Sequence, residues 1–295
     1  MKEITRPLLR WHGGKWLLAP WIIGHFPDHR VYVEPYGGAG SVLLRKQRAY
    51  AEIYNDLDDE VVNLFCVLRD DKAAAQLRLK LELTPFSRTD FEQAWDVCTD
   101  PVERARRLIA RSFMGFGSNA HSDMGRGHKT TGFRASSMRS GTTPARDWEN
   151  YPDGLPAIVE RWRGVIIERR PALQIMASHD SPETLHYVDP PYLPETRNRR
   201  NPHDPKHRYR HEMNVDDHVE LLEALRGLAG MVVLSGYPAK LYDNSMPDWR
   251  RVERLALADG ARERTEVLWI NPACAARLDA RAGGAGSPLF AEVAQ

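Results

Sequence analysis

A carboxylate followed by two prolines and a tyrosine is the part of this sequence best suited to chemistry. Asp189, Pro190, Pro191 and Tyr192 come directly after "TLHYV", an apolar run that is typical of a buried strand. Each proline fixes its own φ and has no N–H donor, so the backbone carbonyl here is held in one direction. The pattern predicts either a rigid turn that starts a helix or a reaction centre.

A glycine-rich turn, "YGGAG" at residues 36–40, follows a second strand-like segment. Its glycines let the backbone approach a ligand closely and start a helix without steric clash. The turn does not match G-x-G-x-x-G, and no G-K-[ST] follows it, which disfavours a phosphate cradle. Asp56 follows the next strand, where a carboxylate can hold the hydroxyls of a ribose. The simpler alternative is a tight strand–helix turn beside an acidic loop.

Alternating strand and helix patterns are expected to position both turns. Strands are predicted within 30–47, 51–70, 164–176, 184–192, 231–238 and 264–272, and a helix with an Asn or Asp cap is predicted over 214–230. This alternation favours an open, largely parallel α/β sheet. Ligands of such sheets bind outside the carboxyl ends of the strands. We therefore expect the two turns to face one crevice.

Composition narrows the class of protein. The chain has 295 residues, enough for one large domain or a core domain with a subdomain, and its net charge of +1 restricts any nucleic-acid surface to a local patch. The three cysteines are odd in number and share no metal-ligand spacing, which indicates a reducing compartment. With no signal peptide and no run of about 18 apolar residues, we expect a cytoplasmic protein without a membrane segment.

Two segments carry the local positive charge that a nucleic-acid surface needs. From 102 to 150, nine Lys or Arg residues stand against four Asp or Glu, and from 189 to 210 six stand against three. The first segment follows helical patterns over 71–110 and is rich in Gly, Ser and Thr, which is typical of an inserted recognition element. The second includes His203 and His207, whose irregular spacing among arginines argues against a metal site. The alternative is a disordered polar loop for the first segment and a solvated basic loop for the second.

Four motifs in a fixed order resemble one family. They are "LLRWHGGKWLLAPWI" (8–22), "YVEPYGGAGSVLL" (32–44), "YNDLD" (54–58) and "YVDPPY" (187–192). Together they resemble the Dam-type S-adenosylmethionine-dependent DNA adenine N6-methyltransferases, over roughly residues 6–70 and 164–272. The sequence differs slightly from the family's pattern at two positions. His12 replaces the usual small residue, and Tyr36 stands where phenylalanine is common.

The resemblance implies an open Rossmann-like methyltransferase sheet with helices on both faces, plus an inserted helical and loop target-recognition subdomain. Residues 1–70 and 151–275 would form the catalytic domain, 71–150 the insert and 276–295 a C-terminal tail. The catalytic motif corresponds to Asp189, Pro190, Pro191 and Tyr192. The residues that correspond to the S-adenosylmethionine site are Trp11, Lys15, Glu34, Pro35, Tyr36, Gly37, Gly38, Ala39, Gly40, Ser41, Asp56, Leu57 and Asp189.

This family gives the DPPY motif a chemical role. An adenine amino group is a poor nucleophile because its lone pair is delocalised into the ring. The Asp189 carboxylate and the Pro190 carbonyl would accept its two N–H groups, and Tyr192 would stack on the base. The methyl donor is a sulfonium, so alignment does most of the work, and no covalent nucleophile is needed. The base must leave the duplex to reach such a pocket.

Double-stranded DNA is the expected partner, and the residues expected to contact it are Asn119, Arg126, His128, Lys129, Arg134, Arg197, Arg199, Arg200, Lys206 and Arg208. Arg107 and Arg111 are either further DNA contacts or part of a solvated helix face. Two alternatives stay open, a cytosine N4-methyltransferase and a non-catalytic DNA-binding protein of the same fold. The sequence does not decide between a monomer and a symmetric homodimer. It identifies neither the target sequence nor a restriction endonuclease partner.

Overall fold

The computed structural model describes residues 4–117, 131–135, 141–197, 210–258 and 262–284. Within them, seven strands form one sheet in the order β3-β2-β1-β4-β5-β7-β6. The strands are β1 (Val31–Glu34), β2 (Ala51–Asn55), β3 (Val165–Glu168), β4 (Thr184–Val188), β5 (Met231–Gly236), β6 (Arg250–Ala258) and β7 (Arg262–Ile270). Each of the six strands predicted from the sequence is present.

The sheet is parallel across its first five strands. Strand β1 pairs with β2 on one side and with β4 on the other, β2 pairs with β3, and β4 pairs with β5. The order of the strands reverses between β1 and β4, and such a switch point opens a crevice at the carboxyl ends of the two strands. This arrangement confirms the predicted Rossmann-like methyltransferase sheet.

Strand β6 was missed in the sequence. It pairs antiparallel with β7, which pairs antiparallel with β5, so the sheet ends in a hairpin. The segment "RRVERLALA" contains four charged residues. They are tolerated because β6 is the edge strand of the sheet, where side chains meet solvent. A strand of this kind does not show the apolar run that identified the central strands.

Thirteen α-helices lie within the described residues and flank the sheet: α1 (Ala19–Ile23), α2 (Ser41–Arg45), α3 (Asp59–Arg69), α4 (Asp71–Glu82), α5 (Arg88–Gln93), α6 (Pro101–Met114), α7 (Pro144–Glu149), α8 (Leu155–Trp162), α9 (Ala172–Ser178), α10 (Pro194–Arg197), α11 (Val215–Arg226), α12 (Lys240–Ser245) and α13 (Pro272–Gly284). As predicted, Asn214 caps α11, where its side chain and that of Asp217 form a reciprocal capping box. None of the described helices has the length and apolar character required to cross a membrane.

Helix α13 corrects the predicted C-terminal tail. The helix covers Pro272–Gly284, so residues 276–284 of the predicted loosely ordered tail are helical. Proline suits the first turn of a helix, and the alanines and arginines that follow are strong helix formers. Arg277 also joins the helix to the turn before β4, because its guanidinium donates to the backbone carbonyl of Pro182 at 2.8 Å.

One hydrophobic cluster joins the sheet to helices α3–α6 and α8. Phe65 of α3 stacks on Trp162 of α8 with ring centroids 3.9 Å apart, and Tyr54 of β2 packs against both rings. Leu77 of α4 and Ile109 of α6 are fully buried in the same cluster. The helices predicted over 71–110 therefore share a core with the sheet. Trp162 and Trp269, both predicted to be core, are buried.

Candidate active site

A cavity of about 330 Å³ opens at the carboxyl ends of β1, β2 and β4. It is lined by residues 11–15, 34–39, 41, 42, 56–58, 171–173, 187, 189, 191, 210–213, 217, 220 and 221. The glycine-rich turn and the DPPY turn both contribute to it, so the predicted shared crevice is confirmed. Of the residues assigned to the cofactor, all except Gly40 line this cavity.

The glycine-rich turn is held between two aromatic side chains. A Cβ at Gly37 would lie 2.0 Å from Cε2 of Tyr54, and one at Gly38, where φ is +49°, would lie 2.7 Å from Nε1 of Trp11. The Tyr54 hydroxyl also donates to the Gly38 carbonyl at 2.6 Å. Only glycine fits these contacts. Gly40 lies behind the turn at the start of α2, against Trp162.

Asp56 ties the loop after β2 to the glycine-rich turn. Its Oδ2 accepts from the backbone N–H of Gly38 and its Oδ1 from that of Asp58, both at 2.8 Å. Burial, together with the negative charge of Asp58, raises the pKa of Asp56 to about 6. Each oxygen has a second lone pair, so the carboxylate can accept further donors from a ligand in the cavity.

Glu34 is a second buried carboxyl in the cavity wall. Its Oε2 accepts from the Tyr32 hydroxyl at 2.8 Å and from the backbone N–H of Leu43 at 3.1 Å. Burial, and to a lesser extent the charge of Asp189, raises the pKa of Glu34 to about 8. A carboxyl that titrates near neutral pH in a cleft is a marker of a functional site.

Asp189 follows the last residue of β4, and both of its oxygens are held. Oδ1 accepts from the Ser235 hydroxyl at 2.6 Å, and Oδ2 forms an ion pair with Lys15 Nζ at 3.0 Å. Lys15 Nζ also donates to the Gly13 carbonyl at 2.7 Å. The Asp189 side chain keeps 16% of its surface exposed, so the carboxylate is oriented by the protein yet accessible from the cavity.

Tyr192 is packed beside this carboxylate and does not line the cavity. Its hydroxyl donates to Glu266 Oε2 at 2.9 Å, and the edge of Tyr237 meets its ring at 4.7 Å between centroids. Lys15 Nζ lies 4.7 Å from the centroid of the Tyr192 ring, a cation–π contact. Burial raises the pKa of the Glu266 carboxyl above its usual range. Lys15 thus contacts both groups assigned to the base, the carboxylate and the tyrosine ring.

Comparison with known proteins places this site in a family. The model of the D12 class N6 adenine-specific DNA methyltransferase matches residues 11–245. The chain belongs to this family. The match includes the W-x-G-G-K segment, the glycine-rich turn, Asp56 and the DPPY motif, and it confirms the resemblance inferred from the sequence.

The curated relatives are DNA adenine methylases that match a shorter segment. The enzyme of Salmonella typhi is 30% identical over 106 residues, which cover 34% of this chain and 38% of the relative. That of Serratia marcescens is 32% identical over 107 residues, covering 34% and 39%. That of Vibrio cholerae serotype O1 is 27% identical over 117 residues, covering 38% and 42%. The alignment spans less than half of each of these relatives.

Several residues of this D12-class site were missed in the sequence. Pro171, Ala172 and Leu173 follow β3 and line the cavity, as do residues 210–213 and the first turns of α11. Their position after a parallel strand was a usable signal, since ligands bind at those ends. Ser235, which contacts Asp189, lies at the carboxyl end of β5 and carried the same signal, whereas Glu266, which contacts Tyr192, lies within β7 and had none. Arg210, noted only as part of a basic segment, pairs with Asp58 at 2.9 Å.

The residues assigned to DNA fall mostly outside the described ranges, namely Asn119, Arg126, His128, Lys129, Arg199, Arg200, Lys206 and Arg208. Arg197 is the last residue of α10. The backbone N–H of Arg134 donates to the Met114 carbonyl at 2.7 Å, so Arg134 lies at the end of α6. His203 and His207 are also outside the described residues.

Arg111 and Arg107 on α6 form contacts with other residues of the protein. The Arg111 side chain is buried, pairs with Glu60 and donates to the Ala94 carbonyl. Arg107 pairs with Glu103 at 3.0 Å. The suggestion that Arg111 contacts DNA is therefore wrong, because its guanidinium is committed to holding α3 against α6.

Proposed function

We propose that this protein transfers a methyl group from S-adenosylmethionine to N6 of an adenine at a specific sequence in double-stranded DNA. The observation that carries the proposal is the position of Asp189. Its carboxylate is oriented on both oxygens and lies in the wall of the cavity that the glycine-rich turn and Asp56 also line. An acceptor for the target amine thus lies beside the site proposed for the cofactor.

The cavity fits S-adenosylmethionine in size and in the chemistry of its walls. Its volume of about 330 Å³ is within the range of small-molecule sites. The Asp56 carboxylate suits the ribose hydroxyls of the cofactor, and the Glu34 carboxyl suits the cofactor's cationic end. Trp11, Leu57 and Leu173 offer apolar surface to the cofactor's own adenine ring. When bound, the cofactor supplies a methyl group already activated on a sulfonium.

The protein's own contribution is to hold the amine. Asp189 accepts one N–H of the exocyclic amine and the Pro190 carbonyl accepts the other, which favours a nitrogen with an available lone pair. Neither residue becomes covalently attached, so the rate depends on alignment of the amine with the methyl group. The adenine specificity of the family favours adenine N6 over cytosine N4.

We propose that residues 1–70 and 151–275 form the catalytic unit and that the insert 71–150 recognises the target. Within the insert, Phe116 N donates to the Gly132 carbonyl at 2.9 Å, and Gly115 and Phe133 form a β-bridge. These contacts bring residues 115–116 and 132–133 together at the end of α6. Because α4–α6 share the core of the sheet, we assign target reading to 115–150 and a supporting role to 71–114.

Methylation-sensitive long-read sequencing of DNA from cells that express the protein tests this function. We expect N6-methyladenine within one short sequence motif, and no modification from Asp189→Ala expressed at the same level. N4-methylcytosine would identify the other exocyclic amine as the target. Unmodified DNA that the purified protein nevertheless binds would identify a non-catalytic DNA-binding protein and overturn the proposal.

A further inference from the structure

Ser235 lies next to the reacting carboxylate because of the strand register. Strands β4 and β5 are parallel, with Val188 opposite Leu234. The residues that follow this pair, Asp189 and Ser235, therefore lie side by side at the carboxyl end of the sheet. Ser235 is still within β5, where its backbone is held between β4 on one side and β7 on the other. Its hydroxyl consequently projects from a central strand of the sheet.

The directions of the hydrogen bonds around Ser235 follow from its single hydroxyl hydrogen. An ionised carboxylate can only accept, so Ser235 donates to Asp189 Oδ1 at 2.6 Å. The contact of 3.3 Å between the hydroxyls of Tyr187 and Ser235 must then be donated by Tyr187. Hydrogen bonds in such a chain polarise and strengthen one another. The chain runs from Tyr187 through Ser235 to Asp189.

The two oxygens of Asp189 differ in the kind of partner that holds them. Lys15, the partner of Oδ2, lines the cavity with a long side chain that has several rotatable bonds, and it also contacts the ring of Tyr192. Ser235, the partner of Oδ1, is 1% exposed and has a short side chain on a strand. A base that donates to Oδ2 from the cavity competes with Lys15 for that oxygen. It leaves the serine contact intact.

We infer that Ser235 is a positioning residue for methyl transfer, acting through Asp189. Its hydroxyl fixes the rotation of the carboxylate so that Oδ2 faces the target amine when Lys15 gives way. The inference rests on the proposed function, because it assigns Asp189 the role of acceptor for that amine. Tyr187 supports the same orientation one step further away.

The test uses the full-length protein and a duplex that contains the motif found by sequencing. Single-turnover methyl transfer is measured with S-adenosylmethionine, alongside cofactor affinity by calorimetry, DNA affinity and thermal melting. For Ser235→Ala we expect a rate of methyl transfer roughly 10- to 100-fold lower, because the carboxylate can rotate away from the amine. The affinities of this variant for the cofactor and for DNA should stay within about 2-fold of the wild-type values. General destabilisation of the protein would not lower the rate while leaving both affinities unchanged.

Two further variants separate orientation from packing. Ser235→Thr keeps the donor and should restore most of the rate, and if it does not fold, Ser235→Cys keeps a weak donor and should give an intermediate rate. Thr184→Val is the matched control, since Thr184 is a buried hydroxyl at the opposite end of β4 that donates to the His179 carbonyl at 2.7 Å. It should lower the melting temperature without lowering the rate. Tyr187→Phe should cost less than Ser235→Ala.

The outcomes distinguish this inference from the function on which it rests. An active wild type with an unchanged Ser235→Ala rate overturns the positioning role alone. So does an equal loss of rate in Thr184→Val, or a donor-retaining variant that is no faster than Ser235→Ala. A wild type that transfers no methyl group to any duplex overturns the proposed function, and the inference falls with it.

Discussion

At the scale of single residues, the site is organised by carboxyl groups with different partners. Asp56 is held by two backbone N–H groups, Asp189 by a serine and a lysine, and Glu34 by a tyrosine and one backbone N–H. Lys15 contacts both Asp189 and the ring of Tyr192. Each of these contacts leads to an expectation that can be measured.

Asp56→Ala should weaken binding of S-adenosylmethionine by roughly 1–3 kcal/mol, because the ribose hydroxyls would lose their acceptor. Part of the loss should come from the glycine-rich turn, since the N–H of Gly38 loses its partner as well. Calorimetry measures the affinity. The control is Asp71→Ala, which removes an exposed carboxylate that pairs with Arg163 and does not line the cavity, and this variant should bind normally. Equal affinity in all three proteins would refute the ribose assignment.

Glu34 should make the stability of the protein depend on pH. Its pKa of about 8 in the folded protein lies above the ordinary value of 4.5, so between these pH values the folded state binds more protons than the unfolded state. Stability contributed by this group is therefore present below about pH 4.5 and lost as the pH rises through about 8.

Glu34→Gln should flatten this dependence, because an amide has the shape of the protonated carboxyl and does not titrate. Urea unfolding at pH 5.5 and pH 8 measures it, and we expect the drop in unfolding free energy of the wild type to exceed that of the variant by about 1 kcal/mol or more. Parallel pH profiles for the two proteins would show that Glu34 titrates normally.

At the scale of elements, one aromatic residue of the insert proposed for target recognition packs against helix α5. Phe133 forms a β-bridge with Gly115 and packs against Phe86 and Phe91, with ring centroids 5.1 and 5.9 Å away, while Arg88 lies over its ring. These contacts join Phe133 to helix α5 and to Gly115 after the end of α6. The fixed geometry of the catalytic sheet is thereby connected to the proposed reading segment.

Phe133→Ala should disturb target choice while leaving the cofactor site intact. We expect weaker binding to the target motif and a broader set of methylated sequences, since the segment loses its anchor. S-adenosylmethionine affinity should not change. Sequencing of modified DNA and calorimetry measure the two properties, and Phe86→Leu, which keeps an apolar partner, is the milder control. A variant with the wild-type motif and lower cofactor affinity would contradict this division of roles.

At the scale of the whole molecule, charge is balanced overall and concentrated locally. With a net charge of +1, affinity for DNA should come from the two basic segments and should fall steeply with salt, because each neutralised phosphate releases counterions. Charge reversals at Arg199 and Arg200 should weaken binding to all sequences alike. Changes at Asn119, Arg126 or Arg134 should alter which sequences are methylated, since one base contact carries ~1–3 kcal/mol of discrimination.

Salt titrations and motif sequencing of the two sets of variants check this division. The slope of affinity against salt should become shallower for the Arg199 and Arg200 reversals. If the Asn119, Arg126 and Arg134 variants retain the wild-type motif while the arginine reversals change it, the recognition element has been assigned to the wrong segment.

The sequence by itself determined the central strands, the two turns at their carboxyl ends and the family, and every residue that it assigned to the cofactor except Gly40 lines the cavity. These properties are local, because apolar runs, glycines and prolines constrain the backbone within a few residues of themselves. Both turns follow strands that turned out to be parallel neighbours. For that reason the crevice between "YGGAG" and "DPPY" could be predicted before the strand order was known.

Only the tertiary structure decided how the reacting groups are held. Ser235 meets Asp189, and Glu266 meets Tyr192, across 46 and 74 residues of chain, because strand order and register join β4 to β5 and β5 to β7. Likewise, only the structure shows that Gly40 lies outside the cavity and that Arg111 is buried against Glu60. Such contacts depend on which strands and helices pack together, and no local pattern of residue types records that choice.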